Sequence, residues 1–214
     1  MLSRIGKFLC ATILCAVGCQ KAQPVMTRME FSLTAPDLPV DSVGARPKTI
    51  YLAGKTCARI EQYADVSSDL KNLIIVREPE IWLVDIRRKT VGHSTNRSND
   101  LTVHNPILGP DGPEDLIEFE YGHEVEFFNK AHTSHLGRKK WRGIECDVRE
   151  VASGDYRFRL YRDRSTNLPV KIEALKNGAI MFDVQYLSYR NDILFDPSLF
   201  QPAADLTVVE ASEQ

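Results

Sequence analysis

Apolar and polar residues alternate along most of the chain, most regularly in its second half. Over residues 139–151, Ile144, Cys146 and Val148 alternate with Glu145, Asp147 and Arg149. Over 156–163, Tyr156, Phe158 and Leu160 alternate with Arg157, Arg159 and Tyr161. Over 168–176, Val170, Ile172 and Ala174 alternate with Lys171 and Glu173, and over 179–189 Ile180, Phe182, Val184 and Tyr186 alternate with Met181, Asp183 and Gln185. Side chains of a strand point to opposite faces every second residue. The block therefore predicts four antiparallel strands with one apolar and one wet face. Asn177-Gly178 supplies the two φ > 0 residues that a type I′ hairpin turn needs, and Ser153-Gly154-Asp155 closes another hairpin. Pro169 sits at a strand start, where its missing N–H costs least.

The same pattern predicts strands over 25–33, 48–53, 55–62, 72–77, 81–86, 89–93 and 206–209, which makes about eleven in all. Tyr121, Val125 and Phe128 fall at helical spacing, so 122–132 is the one main helix. Residues 93–112, rich in Asn, Ser, Pro and Gly, form a long loop of the kind that is functional or mobile. Asp196-Pro197 opens a single capped turn, with Asp as N-cap and Pro at the first helical position.

The first residues are an address rather than part of the fold. Arg4 and Lys7 precede an apolar run over 8–18, shorter than the roughly 17–25 residues of a membrane span, as in a secretory signal. Ala16-Val17-Gly18-Cys19 resembles the lipobox of bacterial lipoproteins. That resemblance implies cleavage before Cys19 and lipidation of Cys19 by a thioether-linked diacylglycerol and an amide-linked acyl chain such as palmitate. Two acyl chains suffice for stable anchoring. The chain then divides into a signal peptide (1–18), an acylated Cys and tether (19–24), one domain (25–210) and a disordered tail (211–214). An extended tether reaches about 3.3–3.6 Å per residue, so the body hangs close to the membrane.

Charge and composition narrow the function. Of 27 Lys and Arg, two precede residue 19, which leaves 25 against 29 acids and a net charge of −4 for the remainder. A mildly acidic body argues against nucleic acid as a partner. Arg138-Lys139-Lys140-Trp141-Arg142 is the exception; it reads as a solvated strand entry or as a contact for anionic lipid headgroups. His132 and His135 are a lone pair without Cys or acid at ligand spacing. The acidic run Asp115, Glu118, Glu120, Glu124 and Glu126 reads as an exposed face or helix entry. The sequence has no nucleophile elbow, phosphate loop or dinucleotide fingerprint. No catalytic or metal residue is therefore assigned, no cofactor is expected, and the chain reads as a non-enzyme. Strand parity sets Cys146 with Ile144 and Val148 but Cys57 with Arg59 and Glu61, which disfavours a disulfide. Trp82 and Trp141 read as packing or rim residues.

Several segments resemble the LolA/LolB-like family of periplasmic lipoprotein carriers and their relatives. They are Ile50-Tyr51-Leu52-Ala53-Gly54-Lys55 with Ala58-Arg59-Ile60-Glu61, Leu73-Ile74-Ile75-Val76 with Ile81-Trp82-Leu83-Val84-Asp85, Gly143-Ile144-Glu145-Cys146-Asp147, Asn167-Leu168-Pro169-Val170-Lys171-Ile172-Glu173, and 196–200. The resemblance implies a mainly β (α+β) fold: a strongly curved antiparallel sheet, a half-barrel, with the helix plugging its apolar concave face. In the carriers that cavity shields acyl chains. The lining candidates here are Ile144, Val148, Phe158, Leu160, Ile172, Phe182 and Val184, with Tyr121, Val125 and Phe128 as lid. Two readings follow for a lipoprotein of the outer membrane facing the periplasm. One is a module that binds lipid or acylated protein in its cavity. The other is a structural, docking or sensory lipoprotein with a filled core, whose partner is another envelope protein.

Overall fold

The computed structural model describes residues 24–40, 42, 44–63, 70–95, 107–108, 113–116 and 118–210. The lipidation candidate Cys19, the signal stretch, most of the 93–112 loop and the 211–214 tail lie outside them. Twelve strands form one curved, unclosed sheet. In chain order they are β1 (Val25–Thr34), β2 (Lys48–Ala53), β3 (Cys57–Tyr63), β4 (Leu70–Arg77), β5 (Glu80–Asp85), β6 (Thr90–Thr95), β7 (Thr133–Trp141), β8 (Ile144–Ser153), β9 (Tyr156–Asp163), β10 (Pro169–Lys176), β11 (Ala179–Leu194) and β12 (Thr207–Glu210). The spatial order is β12-β6-β5-β4-β3-β2-β1-β11-β10-β9-β8-β7. Every pairing is antiparallel except β12 on β6, which is parallel. The one α-helix among the described residues, α1, spans Glu124–Lys130.

Two elements differ from the sequence pattern. The run over 139–151 is not one strand: Arg142 and Gly143, at φ 47° and 87°, turn the chain between β7 and β8. The Asn177-Gly178 turn has the same positive φ values, 50° and 80°, and was legible because Asn-Gly is its usual signature. Arg-Gly is not. The first part of β7, Thr-Ser-His-Leu-Gly-Arg, carries no apolar alternation because β7 is an edge strand, where charged and polar residues discourage pairing with other chains. The helix is also four residues shorter than 122–132, since Ala131 is already extended and β7 starts at Thr133.

The main apolar cluster fills the concave face. Met29, Phe31, Ile50, Phe158, Leu160, Ile172, Ala174 and Val184 rise from the sheet, while Ile107, Leu108, Leu116, Phe119, Phe127 and Phe128 come down onto them. Phe119 is the hub. Its ring lies 5.0–5.6 Å from those of Phe127, Phe128 and Phe158, the spacing of favourable edge-on aromatic pairs. Each such fully buried side chain contributes on the order of 1.5–3 kcal/mol by leaving water.

The convex face is also used. Over β2–β6 it carries Leu73, Ile75, Val84 and Val91, covered by the C-terminal segment with Phe195, Leu199 and Phe200. Asp196 starts that segment's 3-10 turn and accepts a bond from the Ser198 N–H at 2.9 Å, as its sequence predicts. Over β8–β10 the convex face holds a smaller cluster of Cys146, Val148 and Tyr161 beneath Trp141 and Val170. Two predicted cavity residues are therefore misplaced. Val148 pairs with Tyr161, and Val151 pairs with Phe158, so Val148 faces away from the concave core. Ile144 is at the turn and 36% exposed. Cys57 and Cys146 sit in different clusters, both as free thiols.

This face assignment is open to a stability measurement. Phe158→Ala should cost about 3–5 kcal/mol in urea unfolding. Ile144→Ala should stay within about 0.5 kcal/mol; a loss above 2 kcal/mol would return Ile144 to the core.

Candidate functional site

The concave side is organised by the first residues of α1. Tyr121 stacks on Phe31 with ring centroids 4.6 Å apart. Gly122 then takes φ +89°, and a Cβ there would sit 2.4 Å from Leu52 Cδ1, so both backbone and space require glycine. This turn aims Glu124 into the sheet, where it is fully buried. Its carboxylate accepts bonds from the Gly122 N–H at 2.9 Å, from the Tyr189 hydroxyl at 3.1 Å and from the Tyr186 hydroxyl.

Both tyrosines can face inward because of a β-bulge. Phe31 pairs with Tyr186 while Glu30 pairs with Ser188. Leu187 is the extra residue on β11, and strict alternation between Tyr186 and Tyr189 is broken. Burial pushes the Glu124 carboxyl above its ordinary range, against the opposing effect of the Tyr186 hydroxyl and the backbone N–H groups. Burial and the nearby Glu124 charge raise all three tyrosines. The cluster is thus a set of phenols around one desolvated carboxyl that ties the helix to β11. At the other end of α1, the Arg149 guanidinium donates to the Phe128 carbonyl at 3.5 Å and to Asn129 Oδ1 at 3.2 Å, a cation where the helix dipole favours one.

Glu124 opens α1, so the acidic run reaches the helix entry as one of its two readings has it, but this carboxyl is buried rather than on an exposed face. Glu120 is buried too, whereas Glu126 is exposed and bonded to Lys130 at 2.8 Å. A signal was present: Glu124 lies one residue before Val125 and three after Tyr121, on the same helical turn as the apolar stripe.

Eight of the ten cavity candidates meet on the concave face. Phe128, Phe158, Leu160, Ile172 and Val184 are core, and Tyr121, Val125 and Phe182 pack against it. Among the described residues they pack against one another and against Phe119 and Phe127. Among the described residues a cleft of about 530 Å³ opens beside the helix, between the N-cap His123, Val125 and Lys130 of α1, Asn167 and Leu168 of the β9–β10 turn, and Tyr189 of β11. A second cleft of about 220 Å³ adjoins it at Thr27 and Gly122. A space of about 10 Å³ near Arg149 is lined by Phe128 and Leu160. Among the described residues no group of three His, Cys, Asp or Glu could hold a metal ion, and no helix is long and apolar enough to cross a membrane. Trp82 stacks on His93 at 5.6 Å, and Trp141 covers the Lys171 ammonium at 4.3 Å.

No protein-family model matches the sequence, and no curated protein matches it. Solved structures do. An uncharacterized conserved protein from Thermus thermophilus superposes with a TM-score of 0.50 at 12% identity, over 88% of this chain and 91% of that one. A chain of the Pseudomonas aeruginosa MucA/MucB complex superposes at 0.45 with 14% identity, over 86% of this chain and 58% of the other. The Mycobacterium tuberculosis lipoprotein LppX superposes at 0.41 with 8% identity, over 81% and 90%. At 12% identity the first likeness is one of fold.

Glu124 makes a pH prediction with a definite sign. A carboxyl raised in the folded state stabilises most below its ordinary value of 4.5, and that contribution falls as pH climbs from there toward the folded value. Glu124→Gln cannot ionise, so its urea stability should gain on the parent by up to about 1.4 kcal/mol per pH unit above pH 4.5. Parallel pH profiles for the two proteins would remove Glu124 as the cause.

Proposed function

We propose that the chain is a lipid-anchored protein of the bacterial cell envelope, LolA/LolB-like in architecture, that docks another envelope protein and performs no chemistry of its own. One observation carries the choice of docking over carriage: the concave face is occupied by the protein's own Phe119, Phe127 and Phe128. A carrier needs an apolar cavity of several hundred Å³. The 530 Å³ cleft has a mixed wall, with His123, Asn129 and Lys130 beside Val125, Leu168 and Tyr189, which suits a polypeptide that presents hydrogen-bonding groups together with apolar side chains. The anchor rests on the signal-like residues 1–18 and on Cys19. A position on the periplasmic side of the outer membrane is part of the same reading.

A second reading keeps lipid binding and is favoured by one strip of the concave face. Ile60, Ile74 and Leu83 stand side by side across β3, β4 and β5, and Leu83 is 58% exposed. An acyl chain could lie there. Delipidated protein titrated with a fluorescent fatty acid separates the two: docking expects no saturable uptake. Uptake of one fatty acid per chain, lost in Leu83→Glu, would replace docking with carriage. For the anchor, cells grown with radioactive palmitate should yield labelled parent and unlabelled Cys19→Ala; equal labelling would overturn it.

A further inference from the structure

The chain leaves the sheet toward Cys19 at the same end that carries its basic hairpin. Val25, the first residue of β1, pairs with Leu194, the last of β11, and the Pro24 carbonyl accepts from the Phe195 N–H at 3.0 Å. Register then places the β2–β3, β4–β5, β9–β10 and β7–β8 turns at this end: Thr27 pairs with Leu52, Cys57 with Arg77, Lys171 with Gln185, Cys146 with Asp163 and Trp141 with Ile144. Along the sheet, β1 and β7 are five strand spacings apart, about 24 Å at some 4.8 Å each. The tether of residues 20–24 reaches about 17 Å when extended.

The β7–β10 side of this end is positive and partly apolar. Arg138, Lys139, Lys140, Arg142 and Arg164 are exposed and Arg162 is half-buried. Three acids stand among them. Asp147 pairs with Arg164 at 3.7 Å, Asp163 accepts from Ser165 and Thr166 within the turn, and Glu145 stands opposite Lys140. On the other side the β2–β3 and β4–β5 turns carry Lys55 and Arg77 together with Glu78 and Glu80, two bases against two acids, so the net positive charge is concentrated on the β7–β10 side. The exposed Ile144 and the half-buried Trp141 flank the hairpin tip; the inner face of the Trp141 ring lies over Lys171 at 4.3 Å, and the Arg142 guanidinium, 5.5 Å from that ring, donates to Gln185 Oε1 at 2.8 Å. The exposed Val25 and Leu194 lie at the tether.

We infer that this end of the sheet rests on an anionic lipid surface, with the Trp141–Ile144 hairpin as the contact. The inference rests on the lipid-anchor reading, which brings the end within a tether's length of the headgroups. Clustered Lys and Arg are drawn to anionic headgroups over about a Debye length, and Trp favours the boundary between headgroups and acyl chains. The contact fixes how the molecule stands on the membrane: the 530 Å³ cleft, which includes Thr166 and Asn167 of the β9–β10 turn, opens beside the lipid surface.

The test uses the full-length chain with Trp82→Phe, which leaves Trp141 as the reporter of the two tryptophans. It is mixed with brominated phosphatidylcholine vesicles, with or without one-third phosphatidylglycerol. Trp141 should be quenched only with the anionic lipid, and less as salt rises. Adding Lys139→Glu, Lys140→Glu and Arg142→Glu should lower partition at least about tenfold. Arg157→Glu with Lys176→Glu, at the opposite end, should leave it unchanged. Residues 1–18 are common to every variant, so differences read the hairpin. Equal quenching in neutral vesicles, parental partition of the triple variant, or an equal fall in the opposite-end variant would each overturn the inference. Running the series in the Cys19→Ala background separates the two failures. An absent palmitate label on the parent ends the anchor reading, whereas loss of the charge dependence in the Cys19→Ala background ends this one.

Discussion

An open sheet of twelve strands presents more apolar surface than a seven-residue helix can cover. The rest of the structure follows from how that deficit is met. Phe119 does most of it from outside any helix or strand, by touching Phe127 and Phe128 above and Phe158 below. Ile107, Leu108 and Leu116 extend the cover. Interiors pack at the density of organic crystals, and these aromatic rings make such a core of the part of the concave face they cover.

Polar groups fix where that cover sits. The buried Glu124 carboxyl binds Tyr186 and Tyr189 of β11, and Arg149 of β8 holds the opposite end of the helix. Apolar packing is tolerant of small shifts, whereas a desolvated carboxyl is not, since losing a partner leaves a buried polar group unmet. The bulge at Leu187 exists in register with this need: it turns two tyrosines to the same side.

The outer face has a different economy on each half. Over β2–β6 the C-terminal segment makes a second core and ends as β12 on the β6 edge. Over β8–β11 a charged ladder replaces it: Glu150, Arg159, Glu173, Lys171 and Asp183 are linked at 2.7–3.5 Å. Lys171 is only 5% exposed, and Trp141 roofs it. The wet face predicted from alternation is thus a paired network rather than a set of free charges, and the surface open for contact is pushed to the sheet's ends and to the clefts beside α1.

Period-two alternation was legible at once, and it located strands at 156–163, 168–176 and 179–189 because their backbones must put every second side chain on one face. Asn177-Gly178 and Asp196-Pro197 were legible too, since each encodes a local backbone geometry. Alternation cannot say which of two sets faces the core. Ile144, Cys146 and Val148 form a regular apolar set, yet pairing with β9 sends it to the convex side, while the single Val151 joins the core. The Arg142-Gly143 turn and the polar edge strand before it carried no strong local signal. The burial of Glu124 and the covering of the concave face by Phe119 depend on residues brought together from β1, β9, β11 and the segment before α1. Such contacts join positions tens of residues apart, so the chain by itself determined the sheet and its repeat. Only the tertiary packing decided which side is inside and which residues from outside the sheet pack onto it.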